Sequence, residues 1–443
     1  MTSKLFLFFC FLLPLLASCA STATPTPAPT PTTRTPPPTL RPIAQPTPQI
    51  ALPTIPTIPT IPTAPTSRLI TKLGIHLLID DHKYHWPQSL WKSHLHYARN
   101  LVGEGGYVVV LIRLDELDEV PKWQYFLDLC RELRLTPMVR FTAFRDDVNR
   151  WWSAPIRDNE GGGYFTVAEQ YRDFLDNLNW PTKPRYIIVG NEPNRGDEWG
   201  NEPNGAAYAH FLGDVSKRLR EADPNVVILN AALDLYAPHT NGQKFIDGYR
   251  YVDADTFINQ MVKYDPKIFD KVQIWNSHAY PLDPFRASPD QQLLKFDYLN
   301  GAKSARTTPW PSGLVNRGVN AYTWELFKLK EVSGRELPVM ITETGWRHRE
   351  TTLKSLDSHN ADLSAAQIAD YFELAFIGNR RFSQYATSGW TPWENDSRVL
   401  AVMPFALDGY PGDWGHSNWL MVDEQGNIQG VYPMYQRMVE LRR

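Results

Sequence analysis

Tyr186-Ile187-Ile188-Val189-Gly190-Asn191-Glu192-Pro193 is the stretch that decides the fold. Four apolar, mostly β-branched or aromatic residues in a row predict a strand buried on both faces. Gly190 ends the run, and Pro193 cannot continue a central strand because it lacks the N–H. An amide and a carboxylic acid, Asn191 and Glu192, therefore fall at the carboxyl end of a buried parallel strand. That rim is where barrels and doubly wound sheets bind ligands. A plain alternative is that Asn, Glu and Pro only punctuate a strand-to-helix turn.

On both sides of this stretch, strand-like and helix-like runs alternate, the pattern of an α/β domain with a parallel sheet. Strands are expected at 72–78, 107–113, 136–141, 186–189, 226–231, 272–277, 339–342 and 399–405. Helices are expected at 86–101, 121–133, 167–178 and 205–222, the last with Asn204 as its N-cap. Eight βα units in 376 residues suit a (β/α)₈ TIM barrel, which needs about 250 residues before insertions. Connections from helix to strand are short, as at 134–135 and 222–225. Those after strands are long: 142–166, 192–204, 232–254, 278–319, 343–363 and 406 onward. Long connections inside a compact domain are usually functional, and these would all lie on the carboxyl rim.

A second carboxylate stands in Pro338-Val339-Met340-Ile341-Thr342-Glu343-Thr344-Gly345-Trp346, again where a short apolar strand ends. Strands four and seven would bring Glu192 and Glu343 to nearly opposite sides of one barrel mouth. Two carboxyl groups facing each other across a cleft are what glycosidic-bond hydrolysis requires. One gives a proton to the leaving oxygen, and the other, ionised, attacks the anomeric carbon.

With these motifs in register, the chain resembles clan A of the glycoside hydrolases, retaining (β/α)₈ enzymes with Asn-Glu-Pro at the end of strand four. The resemblance implies that Glu192 is the acid/base, Asn191 a partner of the sugar 2-hydroxyl, and Glu343 the nucleophile. It implies an arginine near the nucleophile, for which Arg113 at the end of strand two is the candidate; Arg140, at the end of strand three, is a second one, with an ion pair within the barrel as its alternative. Trp275-Asn276-Ser277-His278-Ala279-Tyr280 resembles the clan's His-x-Tyr, with Tyr280 on the nucleophile and His278 lining the sugar site; a structural pair is the alternative. His76, at the end of strand one, is either a further sugar-site residue or a packed core histidine. Of 15 tryptophans, several fall in rim loops, and Trp346, Trp414 and Trp419 are candidate platforms for pyranose faces, with loop packing the alternative for each. The motif recurs as Gly200-Asn201-Glu202-Pro203-Asn204 after Asp197-Glu198-Trp199, with no strand behind it. Glu202 is accordingly expected in a loop.

The start of the chain has a different composition. Lys4, an apolar run at 5–16 and Ala17-Ser18-Cys19 make a secretory signal over 1–18, too short to span a bilayer. The segment resembles a bacterial lipobox, which implies cleavage before Cys19 and lipidation there; simple secretion is the alternative. Residues 19–67 hold 15 of the 37 prolines and no acidic residue. Such a Pro/Thr-rich linker cannot bury a core and favours extended polyproline II, a tether reaching roughly 100 Å. The domain at 68–443 should then face the extracytoplasmic side of the cell envelope, touching the membrane only through its anchor.

Lys4, Arg34 and Arg41 are the only charges before Arg68, so the domain carries 42 basic against 48 acidic residues, a net charge of −6. That argues against nucleic acid or an anionic membrane surface as partner and leaves carbohydrate as the expected one. Cys130 is the single cysteine of the domain, expected as a buried structural thiol. Cysteine and histidine show no metal-ligand spacing, and the expected chemistry needs no metal or cofactor. A monomer is expected. The rival functions are a non-catalytic carbohydrate-binding lipoprotein and a transglycosylase or wall-remodelling enzyme using the same residues.

Overall fold

The computed structural model describes residues 70–158, 162–289, 317–350, 363–378 and 391–443. The signal, Cys19 and the linker lie outside the described residues, and so do parts of the long connections after strands six and seven. The described residues all belong to one compact unit that begins at Ala64.

Among the described residues, eight barrel strands alternate with eight long helices: β1 (Ile75–His76), α1 (Gln88–Val102), β2 (Tyr107–Arg113), α2 (Val120–Leu133), β3 (Thr136–Thr142), α3 (Phe165–Asp176), β4 (Arg185–Val189), α4 (Gly205–Ala222), β5 (Val226–Asn230), α5 (Ala254–Tyr264), β6 (Trp275–His278), α6 (Tyr322–Ser333), β7 (Val339–Thr344), α7 (Ala365–Ile377), β8 (Val399–Pro404) and α8 (Pro433–Arg442). Strands β1 to β5 pair in parallel and in sequence order, and so do β6 to β8. Two parallel bridges close the circle, Leu229 to Ile274 between β5 and β6, and Leu73 to Val402 between β8 and the residues leading into β1. The fold is a (β/α)₈ barrel.

Period-two alternation sorts each strand's side chains between two cores. Val109, Met138, Ile188, Leu229, Ile274, Met340, Ala401 and Met403 fill the barrel, with Tyr107 and Tyr186 packed against them. The alternate residues, among them Ile187, Val189 and Ile341, face the helices in the larger outer core. Burying an aliphatic side chain of this size is worth about 1.5–3 kcal/mol. The apolar run before Glu192 is therefore clamped from both sides, and the residues after it are held at the carboxyl rim. Cys130 is fully buried in α2, and burial pushes its thiol pKa up.

Several boundaries differ from expectation for local reasons. Helix α1 starts at Gln88, two residues late, because Pro87 disfavours helical backbone at Trp86. The first strand is reduced to Ile75–His76. Asn204 does cap α4, accepting from Ala207 N at 3.0 Å. The chain after β8 adds an antiparallel hairpin, Leu420–Val422 with Ile428–Val431, before α8 packs on α7 and α1.

Candidate active site

Gly190 makes the turn at the end of β4, at φ +96°, with its N–H bonded to Phe141 O at 2.9 Å. A side chain there would be strained. Glu192 itself sits at φ +30°, a conformation rare for a residue with a Cβ and one that clusters at functional sites. Two buried contacts hold this turn. Tyr208 of α4 donates to Val189 O at 3.0 Å and accepts from Ala231 N at the end of β5. Asn194 donates to Asp234 O and Val252 O and accepts from Asp234 N, tying the turn to the loop after β5.

Glu343 reaches the same cleft through an irregularity. Met340 points into the barrel and Ile341 to the outer core, so strict alternation would turn residue 343 outward. The register between β6 and β7 shifts instead: Ser277 pairs with Ile341, but His278 pairs with Glu343. A bulge of this kind re-aims a side chain, and Glu343 swings to the mouth.

Two donors bind Glu343, and two imidazoles stand beside it. Arg140 Nη1 donates to Oε1, and the Tyr280 hydroxyl donates to Oε2 at 2.9 Å. His278 Nε2 lies 3.6 Å and His76 Nε2 3.8 Å from Oε1. Burial alone would push the carboxyl pKa up, but the fields of His278, Arg140 and His76 outweigh it and hold Glu343 at about 2. Arg140 is the permanent cation of this group, since burial, with Arg140 beside it, drives His76 down to about 3 and leaves it neutral. Burial and the neighbouring Glu343 push the Tyr280 phenol up, so it stays a donor.

His278 joins the two carboxylates. Arg140 Nη2 donates to its Nε2 at 3.3 Å, which leaves Nδ1 to carry the proton and donate to Glu192 Oε1 at 2.8 Å. The other oxygen of Glu192 accepts from Arg195 Nη1 at 3.3 Å. Arg195 also grips both oxygens of Asp197, at 2.9 and 2.6 Å, and reaches Asp234 at 3.4 Å. The cavity above has a volume of about 610 Å³, room for several water-sized groups, and aromatic walls at Trp152, Tyr236, Phe285, Phe405 and Trp414.

Most of the expected residues meet here. Glu192, Glu343, Asn191, His278, Tyr280, His76 and Trp414 all line the cavity, and Trp414 Nε1 donates to Asp81 at 3.1 Å. Three do not. Arg113, expected beside Glu343, turns aside to Glu116 at 3.1 Å and Asp80 at 3.5 Å, two buried acids that need a cation. Arg140, the second candidate, takes the place beside Glu343. Trp346 is buried outside the cleft, its N–H on Ala287 O and its ring against Phe372. Trp419 also packs on Phe372, 1% exposed. The repeated motif is split as expected, with the Glu202 side chain 82% exposed in a loop. Sequence reasoning missed Arg195, Asn194, Asp234 and Glu198. Arg195 and Asn194 sit within three residues of Glu192, and that proximity was the available signal.

No protein-family model and no curated relative matches the chain. Solved structures do, at low identity. A family 39 glycoside hydrolase from Bacteroides cellulosilyticus WH2 is 12% identical at a TM-score of 0.47, over 85% of this chain. The chain spans 64% of that protein's length. A family 51 α-L-arabinofuranosidase from Bifidobacterium longum is 11% identical at 0.49, over 85% of this chain and 73% of that one. The catalytic domain of a Bacillus sp. JAMB-750 family 26 endo-β-1,4-mannanase is 13% identical at 0.48, over 84% and 85%.

Proposed function

We propose that this chain is a retaining glycoside hydrolase acting on extracellular poly- or oligosaccharide. The observation that carries the reading is the pair of glutamates from the ends of β4 and β7, which share one imidazole while Arg140 keeps Glu343 anionic. In the first step Glu343 attacks the anomeric carbon as Glu192 gives its proton to the departing oxygen, and the C–O bond breaks. The glycosyl–enzyme ester removes the charge on Glu343. Glu192, now a carboxylate, takes a proton from water, which attacks the same carbon and releases Glu343. Asn191, His76 and Trp414 bind the sugar, and Tyr280 steadies the nucleophile.

Lipidation at Cys19 and a place on the extracytoplasmic side of the envelope complete the proposal. The sequence motif of the signal and the tether composition support them.

The test is a screen of chromogenic glycosides and plant, fungal and bacterial polysaccharides with the wild type and a Glu192→Ala/Glu343→Ala variant. Turnover by the wild type alone is expected. Glycan binding with no turnover by either protein would favour the binding-protein reading, and transfer to an added acceptor sugar would favour a transglycosylase.

A further inference from the structure

The two oxygens of Glu192 are served by different neighbours, and what this implies for its two roles rests on the glycosidase reading above. Oε1 accepts from Nδ1 of His278 at 2.8 Å. That imidazole takes a donor at Nε2, so its Nδ1–H stays on Oε1. The proton that Glu192 gives to a leaving group therefore belongs on Oε2, the oxygen that Arg195 Nη1 faces at 3.3 Å. A guanidinium carries donors only. With the proton on Oε2, an O–H and an N–H would point at each other, and Nη1 has to turn away.

A second acceptor stands within its reach. Asp234 Oδ2 lies 3.4 Å from the same nitrogen. Both contacts are longer than the roughly 2.7–2.9 Å of a full charge-assisted bond, so Nη1 is shared between two carboxyl groups. The other two nitrogens are committed, Nε and Nη2 to the two oxygens of Asp197 at 2.9 and 2.6 Å. The guanidinium can pivot about Asp197 without leaving the site. Asp234 is fixed in place, its Oδ1 accepting from Tyr236 N at 2.7 Å and its own N–H donating to the buried Asn194 at 2.9 Å.

The remaining groups around Glu192 do not compete for Nη1. Glu343 is engaged by Arg140. Tyr280 and Glu198 also feel the Glu192 charge, and burial pushes both up, Glu198 to about 8, so both keep their protons at neutral pH. Burial and the Glu192 charge bring Asp234 only to about 6, against the pull of Arg195. Above that value it is an anion in want of a cation.

We propose that Arg195 and Asp234 are positioning residues that switch Glu192 between acid and base, Nη1 resting on Asp234 while Oε2 holds its proton and returning to Oε2 once that proton is gone. The proton leaves on the departing glycosidic oxygen. The attacking water supplies the next one to Oε2, and Nη1 turns back to Asp234.

The test has a structural and a kinetic part. Glu192→Gln copies the uncharged acid, and its crystal structure is compared with that of the wild type above the Asp234 value of about 6. The contact from Nη1 to Asp234 Oδ2 should shorten from 3.4 Å to about 2.8 Å, and the one to residue 192 should open. In kinetics, Asp234→Asn leaves Nη1 to Glu192 alone, so the basic limb of kcat/KM should move about one pH unit lower. Arg195→Met should move it higher. Loss of the Asp234 charge acting only through space would shift the limb while the guanidinium stays still in Glu192→Gln. A guanidinium unmoved there, or limbs that stay put or move the same way in the two kinetic variants, would overturn the switch. The pivot seen in a protein that cleaves no glycoside contradicts the glycosidase reading and leaves the pivot standing. Cleavage with retained configuration and no pivot does the reverse.

Discussion

Glu192 and Glu202 share their local sequence, ten residues apart, and the fold treats them oppositely. The first ends a strand buried on both faces; the second is out in solvent. Glu192→Ala should slow turnover of natural glycans by roughly 10²–10⁴-fold, because the leaving oxygen departs without a proton. Activated aryl glycosides should be spared in the first step, and azide should restore turnover with retained configuration. Glu202→Ala should change little. Equal losses in a side-by-side kinetic comparison would show that the wrong copy had been assigned. The arginines offer a second comparison. Glu343 is held at about 2, so Arg140→Met should raise its pKa, and the acidic limb of kcat/KM should move to higher pH. Arg113→Met should leave that limb in place, and identical pH profiles for the two variants would contradict the assignment. Both arginines are visible near strand ends in the sequence. Which one reaches Glu343 is decided by Asp80 and Glu116, buried acids that draw Arg113 away and come from a loop and a turn that no periodicity announces.

At the scale of elements, strands and helices were legible because apolar runs, Gly190, Pro193 and the Asn204 cap are local signals. The aim of Glu343 was not. Alternation from Met340 turns it outward, and only pairing with β6 reveals the bulge. Trp346 and Trp419 share that difficulty, since both pack against Phe372 of α7, a helix far from Trp419 in sequence. A buried ion pair joins α1 to the chain after β8 and gives an element-scale prediction. His94 faces Asp408 Oδ2 at 2.7 Å and Gly426 O at 2.8 Å, two acceptors, so both ring nitrogens donate and the imidazole is charged. Burial would lower its pKa, but Asp408 and Gly426 outweigh it and raise His94 above its ordinary value. A raised pKa contributes stability that is complete below the unfolded value of about 6.5 and is lost as pH climbs through the folded one. Melting temperatures of the wild type should therefore fall more steeply above about pH 6.5 than those of His94→Gln. Breaking the pair should also lower stability by about 3–5 kcal/mol at pH 6. Parallel pH dependences in the two proteins would refute the charged pair.

For the whole molecule, the barrel and its active rim followed from the alternation of strands with helices and from the unequal connection lengths. The division of charge across the cleft did not, because Asp234 arrives from the loop after β5, and Arg195 and Glu198 from the loop after β4. Composition alone sets the tether apart from the domain. Cys19→Ala should release an active domain into the medium, and a fragment starting at Arg68 should keep the full kcat/KM; membrane association unchanged by the substitution would refute the anchor. The central claim is that Glu192 and Glu343 act as a retaining pair, and one measurement tests it most directly. Glu192→Ala is given a dinitrophenyl glycoside that the wild type cleaves, stopped by acid, digested and mapped by mass spectrometry. The account predicts a single glycosyl adduct, on Glu343. An adduct on another residue, or fast turnover to an inverted product with no adduct at all, would contradict it.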